Sequence, residues 1–459
     1  MINFWDMIER SETGEILEEA KFDRRLSAKV KELVKKYEIK FHPEEVIPSD
    51  DVLADRVFQA GLELFLDLGI FCIDTRRLIK FNKEEVMEAL RKAPSKLKFG
   101  QGRDEAMMEY RGIEDQKEPF CGFTPVGNPV PEELFEKVVM SYAQEPMADS
   151  FSGPLITSLH GLSIKSGTPI EVEAAIWNAM KLREAARMAG RPGLGCHNFV
   201  SNAEKTDAII AASRKDFGLL DRDGLLVAAI AELKVDYERL KKVTFLKHTE
   251  FSIGALYGPL MGGYAGGPEG TAIVLLAHHF LGVLVFQAHW HVSFPLHIHH
   301  VCNTTREMIW LLSIVGQALS RNTHLLKMAN GFTAAGPCTE MVIYELVAYA
   351  IASTISGSDM DPAAVARNRH LEHCSGMEAR IAAEAGHVAA RMGLKRDKAS
   401  TLVKKIISKY ESQMEVAPIG KKFSECYQLE KLKPTEEYSK LYDRAKDELA
   451  RMGLDYSYL

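Results

Sequence analysis

Eight alternations of strand-like and helix-like sequence across residues 118–393 predict an α/β fold: a (β/α)8 TIM barrel with helical N- and C-terminal extensions. Three observations carry this reading. The segments PFCGFTP, ADSFSGP, GLGCHNFV, GLLVAAI, FSIGALYGP, VFQAHWH, LLKMANGF and AAVARNRHLE each precede a helical pattern, and alternating βα units imply a parallel sheet. Eight such units suit a barrel of about 250 residues. The alternative, an open doubly wound sheet, usually carries GxGxxG after its first strand, and none stands there.

Residues 1–117 read as an extension. Helices are expected at Phe22–Tyr37, at Asp51–Leu68 behind the opening Ser49-Asp50-Asp51, and at Asn82–Lys92. IFCIDTRRLIKF has strand character, and residues 96–117 read as a β-ribbon. The barrel helices are expected at Pro131–Gln144, Ile170–Ala189, Ala203–Lys215, Glu232–Lys247, Glu269–Leu284, Thr304–Arg321, Thr339–Ser356 and Gly376–Arg391. Residues 394–459 form a C-terminal extension with helices at Asp397–Ser412 and Thr435–Met452, placed to wrap the barrel or to contact another subunit.

Composition bounds the function. The 459 residues are 46% apolar and 26% charged, enough for a large core. A net charge of −6 argues against nucleic acid or an anionic membrane as partner. The acidic N-terminus lacks an apolar signal segment, and no uninterrupted apolar run suggests a membrane span, so a cytoplasmic protein is expected. Seven cysteines without a CxxC read as free thiols.

The stretch Gly190–Gly195, GRPGLG, stops a long helix and opens into Cys196–His197. Barrels place their chemistry at the C-terminal ends of strands, which singles out His197. A second concentration runs from His278 to His300. His289 and His291 in QAHWHVS have strand spacing, which puts both rings on one face. His297 in LHIHH repeats it. With His197 these side chains could hold zinc with an open position, and His291 would then act beside His197 in catalysis. The plainer reading gives them only supporting hydrogen bonds, and His278-His279 packing or surface roles within a helix. Gly262, Gly263, Gly266 and Gly267 let a bulky ligand approach the backbone ahead of a helix N-terminus, or simply form a turn. Cys338 reads as a buried thiol.

Taken together, GRDEA, MSYA at 140–143, AGRPG at 189–193, GGYAGG at 262–267, NTTRE at 303–307, AGPCTEM at 335–341, GMEAR at 376–380, ECY at 425–427 and PTEEY at 434–438 give the chain a resemblance to the monomethylamine:corrinoid protein methyltransferases. The resemblance covers nearly the whole chain. It implies a homohexamer that moves a methyl group from a small methylated substrate to the cobalt of a corrinoid (cobamide) carried by a partner corrinoid protein, docked over glycines 262, 263, 266 and 267. It also implies a pyrrolysine at the position held here by His197. Two family carboxylates fall at Leu226 and Leu256, and a glutamine and a tyrosine at Asn330 and Phe332. The implied pocket has lost its acids, so a donor other than monomethylamine is expected. Three routes replace the missing imine: a quaternary ammonium donor, an oxygen or sulfur donor activated by a metal, or His197 as general acid. A metal-dependent TIM-barrel hydrolase and a non-catalytic paralogue that binds corrinoid protein are the alternatives.

Overall fold

The computed structural model describes residues 3–125 and 127–459. Met1 and Ile2, part of the N-terminal reading above, lie outside the described residues. Eight strands run in parallel: β1 (Gly122–Phe123), β2 (Ser150–Ser152), β3 (Gly195–Asn198), β4 (Gly224–Ala228), β5 (Ser252–Tyr257), β6 (Trp290–Ser293), β7 (Lys327–Phe332) and β8 (Asp359–Ala364). A helix follows each: α1 (Phe135–Ala143), α2 (Pro169–Met188), α3 (Thr206–Ala212), α4 (Tyr237–Leu246), α5 (Pro268–Leu281), α6 (Arg306–Asn322), α7 (Glu340–Ile355) and α8 (Gly376–Arg391). Strands β1 to β3 form one parallel sheet and β4 to β8 another. A parallel bridge between Cys121 and Met360 brings β8 beside β1. At the other junction Phe199 N–H donates to the Gly224 carbonyl at 3.3 Å, and side chains add to it. Asn198 Oδ1 accepts from Leu226 N–H at 3.2 Å, and Asp223 Oδ1 accepts from Cys196 N–H at 2.7 Å. The arrangement is consistent with the expected barrel.

Two expected strands are displaced. The eighth is Asp359–Ala364, upstream of most of AAVARNRHLE, whose later residues form a loop and a short 3-10 turn. The sixth begins only at Trp290, because Val285 and Phe286 end α5 in a wide π-type turn, Gly282–Phe286. His289 therefore precedes the strand instead of lying in it.

The N-terminal segment is built into the body. The helix Asp51–Leu68 lies on α5: a Cβ on Gly61 would meet the Leu276 side chain at 2.4 Å, and Phe58 and Phe65 both contact Phe280 edge-on. Pro268–Phe286 is in fact long and apolar enough to cross a bilayer, which the sequence reading passed over. It is 94% buried within the fold and serves as a core helix. The antiparallel ribbon Lys96–Phe99 with Ala106–Glu109 covers the N-terminal ends of the strands. There Phe99, Met108, Phe120, Trp290, Leu326 and Met328 make a separate apolar cluster against which Leu226 and Leu256 pack.

The ribbon also fixes GRPGLG. Gly193 N–H donates to Asp104 Oδ2 at 3.1 Å, the Gly193 carbonyl accepts from Gln101 N–H at 2.9 Å, and Arg191 pairs with Asp104 at 2.8 Å. A Cβ on Gly195 would lie 2.4 Å from the Gly100 nitrogen. Glycine at 195 is thus required by the close approach of two backbones. Gly195→Ala should cost about 1–3 kcal/mol, the range for overpacked interiors. Gly112→Ala, whose added methyl meets nothing within 4 Å, should stay within about 0.5 kcal/mol. Denaturant unfolding of the two variants checks the contrast.

Candidate functional site

Strand alternation decides which side chains face inward. On β3 the inward residue beyond Gly195 is His197, and its ring is 1% exposed. It meets side chains from several strands at once. Nδ1 lies 2.8 Å from Ser150 Oγ on β2, the ring stands edge-on to Trp290 of β6 at 6.0 Å, and Nε2 is 3.6 Å from Asp361 Oδ1 on β8. Gly122 on β1 makes room: a Cβ there would sit 3.2 Å from His197 Cε1 and 3.3 Å from Asp361 Oδ1.

Asn330 on β7 completes the group. Its Nδ2 donates to Asp361 Oδ2 at 3.0 Å and to the Asp361 carbonyl at 2.9 Å. Three buried polar atoms then remain without a hydrogen-bond partner: His197 Nε2, Asp361 Oδ1 and Asn330 Oδ1. Buried polar atoms are almost always paired, so three in one group mark a place built for a ligand or water. Leu226 and Leu256 are only half-buried and supply apolar wall. Phe332 is buried two residues beyond Asn330, its ring 5.4 Å from Phe294. The site therefore brings together His197, Asn330, Leu226 and Leu256, with Phe332 farther along β7.

Asp361 was not foreseen. Its segment, SGSDMDPAA, combines glycine, acids and proline and reads as a turn, so no signal marked it as an inward strand residue. The expectation of a pocket stripped of acids is corrected by this side chain. Burial sets both protonation states. It pushes the His197 imidazole down to about 3. It pushes the Asp361 carboxyl up to about 7, opposed by the Asn330 hydrogen bond. His197 is consequently a poor proton donor near neutrality, which disfavours the route with His197 as general acid.

The expected histidine set does not converge. Because Trp290 points inward, His291 points out toward α5. Its Nδ1 is 2.8 Å from the Tyr257 hydroxyl, and its ring lies 5.6 Å from that of His279. Gly282 allows this, since a Cβ there would overlap the Tyr257 hydroxyl. His289 accepts from Ile253 N–H at 2.9 Å at the start of β5. His297 lies past β6, where its Nδ1 accepts from His299 and His300 N–H at 3.1 and 3.2 Å. Among the described residues no group of three histidine, cysteine or acidic side chains is placed to share a metal ion. These four histidines do not fit zinc. His278 and His279 are buried on α5, as the packing reading expected. Cys338 is buried, and its thiol is pushed up to about 11 by desolvation. All seven cysteines are free.

Glycines 262, 263, 266 and 267 form a tight loop between β5 and α5. Gly262 N–H donates to the Gly266 carbonyl at 2.8 Å, and Gly262 and Gly266 have left-handed φ of 95° and 79°. The loop presents Tyr264, 55% exposed. Leu260–Met261 pairs with Leu296–His297, so the loops after β5 and β6 are tied together.

Fold and site together define an α/β protein with an imidazole–carboxyl pair enclosed by its strands. The family model described as monomethylamine methyltransferase MtmB matches residues 2–454. Monomethylamine methyltransferase MtmB1 of Methanosarcina barkeri is 33% identical over 452 residues, 98% of each chain. MtmB of Methanosarcina mazei is 32% identical over the same length. The crystal structure of the Methanosarcina barkeri monomethylamine methyltransferase matches with a TM-score of 0.95 at 33% identity, covering 98% of both chains. A crystal structure of a hydroxylamine complex of MtmB matches with the same score. The chain belongs to the monomethylamine methyltransferase MtmB family.

The Asp361 carboxyl gives a stability test on protein without donor. A carboxyl whose folded pKa is raised contributes stability that is present below its unfolded pKa, about 3.9, and lost as pH rises toward about 7. Asp361→Asn should therefore gain in thermal midpoint relative to the native protein as pH rises from 5 to 7, with a constant difference above that. Calorimetry across this range reads it.

Proposed function

We propose that this protein is a corrinoid-dependent methyltransferase, which moves a methyl group from a small methylated donor other than monomethylamine to the cobalt of a partner corrinoid protein. The observation that carries the reading is the group of unpaired buried atoms on His197, Asp361 and Asn330, flanked by leucines. Such a site can hold a small molecule by one heteroatom and leave its methyl group against hydrocarbon. Full-length membership of the methyltransferase family supports the reaction class. The family resemblance assigns pyrrolysine to the position of His197 and carboxylates to those of Leu226 and Leu256. With histidine and leucines there, no imine forms, and the donor is activated by the side chains present.

The corrinoid supplies a strongly nucleophilic reduced cobalt as methyl acceptor. Its partner protein would dock where the loops after the strands carry exposed apolar groups: Leu260, Tyr264 and Ile298, with Ile419 on a segment packed beside Gly336. Exposed apolar residues clustered on one face mark interaction surfaces.

Two measurements test this. Anaerobic incubation with reduced cob(I)alamin and a panel of methylated donors should change the cobalt absorbance for at least one donor and not for monomethylamine. In that assay His197→Ala should lose roughly 100-fold, the cost of a misplaced donor. Unchanged transfer would reduce His197 to a filler, and transfer from no donor would favour a non-catalytic paralogue. Tyr264→Glu should raise KM for the corrinoid protein about tenfold, the loss of a contact of about 1.4 kcal/mol. It should leave the rate with free cobalamin unchanged.

A further inference from the structure

We propose that Asp361 is the proton donor of the reaction and that the donor compound carries its methyl group on oxygen; this rests on the methyl-transfer reading above. His197 Nε2 and Asp361 Oδ1 are 3.6 Å apart, too far to bond each other. Both side chains are 1% exposed, and both atoms lack partners. One ligand oxygen placed between them at about 2.8 Å reaches both. Asn330 determines which carboxyl oxygen faces the ligand. Its Nδ2 donates to Oδ2, so in the neutral acid the hydrogen resides on Oδ1, the atom turned toward His197.

The groups around Asp361 preserve that neutral form. Facing it are His197 from β3, uncharged at neutral pH, and Asn330 from β7. The Tyr349 hydroxyl of α7 accepts from the Asp361 N–H at 3.3 Å and stays protonated, its pKa raised by burial. No cation bonds the carboxyl among the described residues. Of the two central groups, only Asp361 has a proton to give near pH 7.

The chemistry separates the donor classes. An ammonium donor departs as a neutral amine and needs no acid. A quaternary nitrogen has no lone pair with which to accept from Asp361 Oδ1–H. An oxygen donor departs as an alkoxide or hydroxide unless protonated. In the step proposed, the methyl carbon–oxygen bond breaks and its electron pair stays on oxygen. Asp361 Oδ1–H gives its proton to that oxygen, which leaves as an alcohol or as water. The methyl carbon bonds to the electron pair of the acceptor's reduced cobalt. Asp361 remains as a carboxylate and regains its proton from solvent.

The experiment offers native protein and Asp361→Asn four donors, methanol, 2-methoxyphenol, methylamine and tetramethylammonium, with cob(I)alamin as acceptor. Only the oxygen donors should react, and kcat/KM should fall as pH rises through about 7, where the acid ionises. Asp361→Asn should lose about 100-fold at pH 6 with its fold intact by circular dichroism. A variant within about threefold of native, or a rate that rises through pH 7, overturns the proposal. Transfer from tetramethylammonium alone overturns it and leaves the reading above standing, transfer from methylamine overturns it together with the exclusion of monomethylamine, and transfer from no donor overturns the methyltransferase reading too. A readout independent of turnover is infrared difference titration of native against Asp361→Asn protein without donor. The protonated-carboxyl band assigned to Asp361 should persist at pH 6, and its absence at pH 5 overturns the proposal.

Discussion

The constraint on which this structure turns is the interlock between the N-terminal ribbon and the GRPGLG stretch. Two backbones meet there with no room for side chains, and Asp104 joins the ribbon to Arg191 and Gly193. The strand that follows is only four residues long and carries His197 as its third. So short an element has little ladder of its own to fix its register, and the contact at its entrance supplies part of what the ladder lacks. The same ribbon brings Phe99 against Trp290, and Trp290 against His197. What reads as an appendage in the sequence therefore forms the floor under the chemistry.

Much of the architecture was legible because helix signals are local. The helix Asp51–Leu68 was read with both ends correct, since Asp50 caps it through Val52 and Leu53 N–H and Gly69 terminates it with a left-handed φ. Strand limits were harder. The sixth slipped because a wide helical turn absorbed apolar residues that look like strand, and the slip converted an apparent His-x-His face into one histidine before the strand and one pointing outward. The eighth was hidden by its own chemistry: Asp359, Asp361 and Pro362 carry turn statistics, yet all are buried. The candidate site was legible to the same degree. His197 was singled out by its place at the end of a strand, and Asn330, Leu226 and Leu256 by the family pattern, whereas Asp361 could be seen only once β8 was set between β7 and β1.

That carboxyl changes the character of the interior. With leucines at 226 and 256 alone, the pocket would be hydrocarbon around one imidazole. With Asp361 it becomes a polar group whose protons are distributed by burial, because desolvation disfavours charge on either partner. Burial therefore favours neutral imidazole beside neutral acid over a charged pair. The 3.6 Å gap between them preserves that state, since a direct bond would favour moving the proton across.

The helix at Pro268–Phe286 has a consequence for synthesis. It is apolar enough to be mistaken for a bilayer-crossing segment, yet its principal cover, Asp51–Leu68, is made some two hundred residues earlier. The ribosome thus releases the covering segment well before the apolar stretch it packs on, so the partner is present in the chain from the moment that stretch emerges.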